Sequence, residues 1–456
     1  MYCFIHNCVI ELEIYRKILF FSLQTLIQSA DSMSVKEDAA DSDSIFIGLL
    51  FPGVISLKET LLKLRNQIAN ELENDILPFW IALADKEYGG FYGSVSNDLK
   101  IDRTAHKGCV LNSRILWTYS RAFAMYGKKE YKDTAEHAYH FLKRSFWDYT
   151  YSGLYWMVDF CGNPVSTKKH IYNIAFGIYA LSEYHRVFND PDSLNLAIML
   201  YNLVEKFSFD SEYGGYLDAF SEDWKPTADM RLSPVDLNAP KTMNTHLHLL
   251  EAYTNLCHVW PNSELKRKLA GLVHIFTERI IDPGTYHLNL FFNEKWEPIS
   301  DIVSYGHDIE CSWLLCEAVD VLGDGELKEK VSNIAVTMAD KVIEEGYDSV
   351  FGGIYDHTDS YGRNFRKEWW PQAEMIVGMM NAIEITGKDT YLNPLVKTWE
   401  FIYMNVIDHR YGEWFHTVER NGRTVENIPK VEPWKCPYHN SRACMEFISR
   451  FDRLAS

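Results

Sequence analysis

The chain has 456 residues, 47% of them hydrophobic and 24% charged, and a formal net charge of −18. That much apolar content fills a large core, while the acidic balance disfavours nucleic acid or an anionic membrane surface as partner and suits a neutral small molecule. The nine cysteines form no CxxC pair and no Asn-x-Ser/Thr sequon occurs, which fits a reducing, cytoplasmic setting.

Residues 1–55 differ from the remainder. Ile18–Ile27 is a short apolar run, but Glu11 and Glu13 stand where a signal peptide carries positive charge. Ile45–Leu57 is too short to span a bilayer and contains Pro52. The acidic, serine-rich Asp31–Ser44 between them reads as a flexible linker. These residues are expected to form an N-terminal extension, flexible or lying upstream of a start nearer Met33.

A capping box, Ser56-Leu-Lys-Glu59, opens the first helix, and Leu61, Leu64, Ile68, Leu72 and Ile76 recur behind it at helical spacing. A glycine–aromatic turn follows, Tyr88-Gly-Gly-Phe-Tyr-Gly93. Similar turns begin at Tyr151, Tyr213, Tyr286 (the loosest copy), Phe351 and Tyr411. A period of roughly 60–70 residues marks an internal repeat, and each turn reads as a short hairpin. Amphipathic stretches lie near residues 57–83, 108–126, 132–146, 170–188, 192–207, 242–259, 263–281, 305–322, 325–345, 369–386, 390–406 and 438–452. Two helices and a hairpin, repeated six times, predict an all-α (α/α)6 barrel of about twelve helices occupying residues 56–456, with one helix of each pair inside.

Polar residues at the heads of the inner helices mark the candidate site. Arg114 is a cation within the apolar helix around Leu111–Trp117, costly unless it meets a cavity or an anion. In Lys241–Leu250, Asn244 and His248 are four apart and share a face, while His246 points away and is expected to be structural. In Tyr305–Glu310, His307 and Glu310 are three apart. A carboxylate so placed would orient the imidazole, fix its tautomer and raise its pKa, as in a general acid/base. Lys367–Glu374 offers Trp369 and Trp370 as a stacking wall above Glu374, and Trp434–Arg442 places His439 at the head of the last helix. No phosphate loop, dinucleotide fingerprint, HExxH or nucleophile elbow occurs, so no cofactor or metal is expected.

MNTHLHLLEAYT at Met243–Thr254, GHDIE at Gly306–Glu310, WWPQAE at Trp369–Glu374 and WKCPYHNSRAC at Trp434–Cys444 together resemble the N-acylglucosamine 2-epimerase superfamily, and within it the cellobiose 2-epimerase branch. The resemblance runs from about Ser56 to the C-terminus. It implies catalytic roles for His248, His307 and His439, an enediolate-stabilising Arg114, and substrate-contacting or supporting roles for Tyr172, Asn244, Glu310, Trp370 and Trp434. Around Tyr172 the sequence departs from the family's pattern at Asn173 and Ile174.

The expected activity is therefore epimerisation at C2 of the reducing sugar of a β-1,4-linked disaccharide, through ring opening and an enediolate, by a monomer or weak homodimer. Aldose–ketose isomerisation of mannose or glucose, since the same intermediate protonated at C1 gives a ketose, or 2-epimerisation of mannose is the near alternative. A glycoside hydrolase on the same barrel would need two carboxylates, with Asp308 and Glu374 as candidates. A non-catalytic sugar-binding protein would keep the tryptophans without needing His307, His439 and Arg114 together.

Overall fold

Leu61, Leu64 and Ile68, three and four apart, bury one stripe of the first helix, α1 (Leu57–Glu71). The computed structural model describes residues 57–456; the expected extension, residues 1–55, and the Ser56 cap lie outside the described residues. α1 runs on through a π-turn (Leu72–Ile76) into Leu77–Ala82. Eleven further α-helices follow: α2 (Cys109–Tyr126), α3 (Lys129–Phe141), α4 (Ile171–Phe188), α5 (Pro191–Phe207), α6 (Met243–Val259), α7 (Ser263–Ile275), α8 (Tyr305–Leu322), α9 (Gly325–Lys341), α10 (Trp369–Thr386), α11 (Leu392–Phe401) and α12 (Tyr438–Ala455).

The even-numbered helices are buried over most of their circumference, as helices surrounded by others must be. They pack in the order α2, α4, α6, α8, α10, α12 and back to α2, while the odd-numbered helices cover them from outside. This is the expected (α/α)6 barrel.

The hairpins do more than connect helix pairs. Each two-residue strand at the head of an inner helix pairs with a strand beyond the next hairpin. Lys107 lies opposite Val158, Lys169 opposite Phe220, Lys241 opposite Phe292, Val303 opposite Thr358 and Lys367 opposite Val418. A Val95–Val431 bridge makes the sixth joint. Every hairpin starts at an aspartate whose Oδ1 accepts two backbone N–H bonds, as Asp148 does from Thr150 and Tyr151. In five repeats its other oxygen holds a buried lysine: Lys107 to Asp85, Lys169 to Asp148 and Lys430 to Asp408 at 2.6 Å, Lys241 to Asp210 at 2.7 Å, and Lys367 to Asp348 at 3.1 Å.

The fourth hairpin lacks that lysine. His287, within the hairpin, ties it to the barrel by another route, its Nδ1 2.7 Å from Asp308 Oδ2 and its Nε2 3.3 Å from Glu345. The inner helices also hold their hairpins directly. His246 Nε2 accepts from Tyr216 N–H (3.0 Å), Asp308 Oδ1 from Leu288 N–H (2.9 Å) and Gln372 Oε1 from Ile354 N–H (2.8 Å). His246 is thus structural, as its spacing predicts. At Gly353, φ is 76° and a Cβ would fall 2.3 Å from that Gln372 oxygen, so the turn admits no side chain. Among the described residues no helix is long and apolar enough to cross a membrane.

Candidate active site

The first two turns of the inner helices bring Arg114 from α2, Tyr172 from α4, His248 from α6, His307 from α8 and His439 from α12 to one end of the barrel. Each imidazole is held through Nδ1 by a different partner. Glu251 Oε2 lies 3.0 Å from His248, Ser304 Oγ 2.8 Å from His307, and Glu374 Oε1 2.6 Å from His439. The other ring nitrogen, Nε2, of each has no hydrogen-bond partner among the described residues. Trp370 lies between two of the rings, its centroid 4.7 Å from His307 and 5.6 Å from His439, and donates Nε1–H to Glu368.

Arg114 donates to the Tyr172 hydroxyl at 2.7 Å and to the Trp434 carbonyl at 3.1 Å, with its guanidinium 4.2 Å from the Phe176 ring centre. Tyr172 in turn meets His248 edge-on at 4.9 Å and lies 5.9 Å from Trp434. Asn244, near the head of α6, has a buried Oδ1 without a partner. Beside Trp434 a cavity of about 430 Å3 opens between Trp156 and the 229–234 segment.

The structure corrects several expectations. Glu310 does not orient His307. Its carboxylate turns to Arg442, 2.5 Å away, and a serine hydroxyl holds the histidine. Glu310 and Glu374 are almost fully buried supports rather than cavity-facing groups. Trp369 is also buried, its ring 4.5 Å from His416, because neighbouring helical residues point about 100° apart and only Trp370 reaches the cavity side. Asp308 serves the fourth hairpin and not a catalytic pair with Glu374.

Nor is the proton affinity of His307 or His439 raised. Burial, with His248 adding to it, pushes His307 down to about 3. Burial and the cations Arg114 and Arg442 hold His439 well below the ordinary histidine range. Both rings are neutral at pH 7. Burial, reinforced by Glu374, lifts Glu310 to about 7. Burial works against ionised Glu251 as well, but Arg442 and His248 outweigh it and bring the carboxyl to about 2.

Reading the sequence missed Glu251 and Arg442. Glu251 follows His248 at the same three-residue spacing as Glu310 follows His307, so the signal was present. Oxygens of Glu310 and Glu374 and a nitrogen of His439 lie within 4.8 Å of one another, an arrangement able to hold a metal ion. Arg442 Nη2 already stands between the two carboxylates, 2.5 and 2.7 Å from them, and supplies the positive charge there.

Known proteins share this frame. The chain is 43% identical over 387 residues to a cellobiose 2-epimerase of Bacteroides fragilis, covering 84% of this chain and 98% of that protein. It superposes on the structure of cellobiose 2-epimerase from Bacillus thermoamylovorans with a TM-score of 0.82 and 41% identity, covering 85% and 99% of the two chains. A GH76 α-mannanase of Bacteroides thetaiotaomicron, 12% identical with a TM-score of 0.56, shares the fold alone. These are helical-barrel carbohydrate enzymes, and within them the isomerase class matches over most of the chain. The model of the N-acylglucosamine 2-epimerase (GlcNAc 2-epimerase) family matches residues 90–443, and the chain belongs to that family.

Proposed function

We propose that the protein is a cofactor-independent 2-epimerase that interconverts glucose and mannose at the reducing end of a β-1,4-linked disaccharide such as cellobiose. One observation carries this reading. Arg114 is 3% exposed, lies beside the imidazole cluster, and has no carboxylate within ion-pair distance among the described residues. A buried cation without a counter-ion is costly. Negative charge that develops only along the reaction, on an enediolate, would match it and be stabilised by it.

Inversion at C2 requires ring opening, removal of the C2 proton beside the free C1 carbonyl, and its return to the opposite face. His439 is suited to be one base: Glu374 accepts its Nδ1–H, which leaves a lone pair on Nε2. His307 is suited to be its counterpart, because a serine hydroxyl can donate or accept and so permits either tautomer. His248, fixed by Glu251, would assist ring opening or hold the hemiacetal oxygen. Tyr172 and Asn244 would contact the sugar's hydroxyls, Trp370 would stack on the reacting ring, and Trp434 with Trp156 would receive the second ring in the adjoining cavity. The scattered thiols, none disulfide-bonded among the described residues, support a cytoplasmic setting.

Isomerisation is the second reading, favoured by a 22% identical D-mannose isomerase of Marinomonas mediterranea. Incubation with cellobiose, lactose, N-acetylglucosamine and mannose in D2O, followed by NMR, tests both. Deuterium at C2 with a 4-O-glucosyl-mannose product is expected. A ketose from mannose would move the assignment to the isomerase, exchange only with N-acetylglucosamine to an amino-sugar epimerase, and bond cleavage without exchange would overturn it.

A further inference from the structure

Below the imidazoles, four inner helices meet on one side chain. Arg442, three residues beyond His439 on α12, is 1% exposed. Its Nη2 contacts Glu310 of α8 at 2.5 Å and Glu374 of α10 at 2.7 Å. Its Nη1 bonds Glu251 of α6 and the Tyr438 hydroxyl, which itself donates to Glu251. The guanidinium carbon lies 4.2 Å from the Tyr438 ring centre and 4.7 Å from that of Trp313, whose Nε1–H reaches the far oxygen of Glu374 at 3.1 Å. Glu251 and Glu374 are the carboxylates that orient His248 and His439. The anchors of two imidazoles, on helices that are not neighbours in the ring, thus share one planar cation.

We propose that Arg442 is a positioning residue that couples His248 to His439, fixing Glu251 and Glu374 on one rigid fork so that the two rings are aligned as a unit. The inference rests on the reading of those histidines as the epimerase's acid/base groups. A fork is required for this. An ammonium carries the same charge but is a point donor, and cannot grip carboxylates arriving from three helices in one plane. Three carboxyl groups converge on this one guanidinium, so without Arg442 their donor is gone and each loses its fixed direction.

Two measurements test the coupling. Arg442→Lys keeps the charge and removes the fork. Its kcat on cellobiose should fall about 100-fold with KM within threefold, as misaligned acid/base groups predict. Glu251→Gln and Glu374→Gln, made singly and together, test the same link without touching Arg442, and so decide the matter if Arg442→Lys does not fold. If each single change costs about 100-fold in kcat, independent imidazoles require about a 10000-fold loss in the double variant; coupled ones leave it within tenfold of the worse single variant. Multiplicative losses, a kcat within threefold in Arg442→Lys, or a loss confined to KM would overturn the proposal. A wild-type enzyme that exchanges no C2 proton would instead overturn the epimerase reading.

Discussion

Glu374 reaches His439 across 65 residues of sequence, its Oε1 2.6 Å from the ring's Nδ1, with both side chains buried. Trp313 donates to the other oxygen of that carboxylate, and Arg442 donates to the same oxygen that holds His439. In Glu374→Gln the amide therefore sets its NH2 group against a donor on one side or the other. With the amide oxygen toward His439 the ring keeps its tautomer on a weaker, neutral acceptor; with the NH2 group there the ring must carry its proton on Nε2. A loss of kcat of about 100-fold or more, with KM little changed, is expected in steady-state kinetics on cellobiose. Wild-type kcat in this variant would remove His439 as a base of fixed tautomer.

His307→Ala and His439→Ala should each abolish C2 exchange while the barrel and sugar binding survive. NMR in D2O reads the exchange, and calorimetric titration of cellobiose reads the binding. Near wild-type exchange in either variant would break the assigned pair.

Trp434 belongs to the second ring's side of the site. Trp434→Ala should raise KM for the disaccharide about tenfold, in keeping with the loss of one stacking face, while the kinetics on mannose change little. Equal effects on both sugars would place Trp434 at the reacting ring instead.

The lysine–aspartate joints carry stability rather than chemistry. Lys169 and Asp148 are both fully buried, so Lys169→Met strands a carboxylate in the interior. A loss of about 3–5 kcal/mol is expected in chemical denaturation. A loss under ~1 kcal/mol would mean that backbone donors suffice for Asp148.

The fourth hairpin depends on the charge of an imidazole, where the others are held by lysines. Burial works against a charge on His287, but its hydrogen bonds to Asp308 and Glu345 prevail and raise it above its ordinary value of 6.5. A histidine whose folded pKa is raised contributes fully below its unfolded pKa and loses that contribution as pH rises through the folded value. The amides of residues 282–288 should therefore exchange hydrogen faster above neutral pH than the intrinsic rate explains. His287→Gln should flatten that excess, and a hairpin equally protected across the range would show that the ion pair does not hold it.

The barrel was legible because its signals are local. Leu61, Leu64 and Ile68 fall at helical spacing, and Tyr88, Tyr151 and Tyr213 return at a steady period. The histidines were legible from motif residues. What escaped was long-range pairing. Nothing local to His439 names Glu374 as its partner. The three-residue interval from His307 to Glu310 pointed to a pair that the pull of Arg442 on Glu310 prevents. The low proton affinity of His307 and His439 was equally out of reach, because burial decides it, helped at His439 by Arg114 from another helix and Arg442 from its own. The aspartate opening each hairpin was visible, but its lysine stands 19 to 31 residues further on and its role appears only in three dimensions.

The ring of six joints has no first or last repeat. An open stack of helix pairs can fray from its ends and keep its middle, and it needs polar caps where the stacking stops. Here the seam is closed by α12 against α1 and α2, and α12 is also the helix that carries His439 and Arg442. Parting that seam opens the circle and dismantles the acid/base cluster in the same event. On the proposed assignment, partly assembled forms should be silent, with catalysis beginning only once the circle is complete.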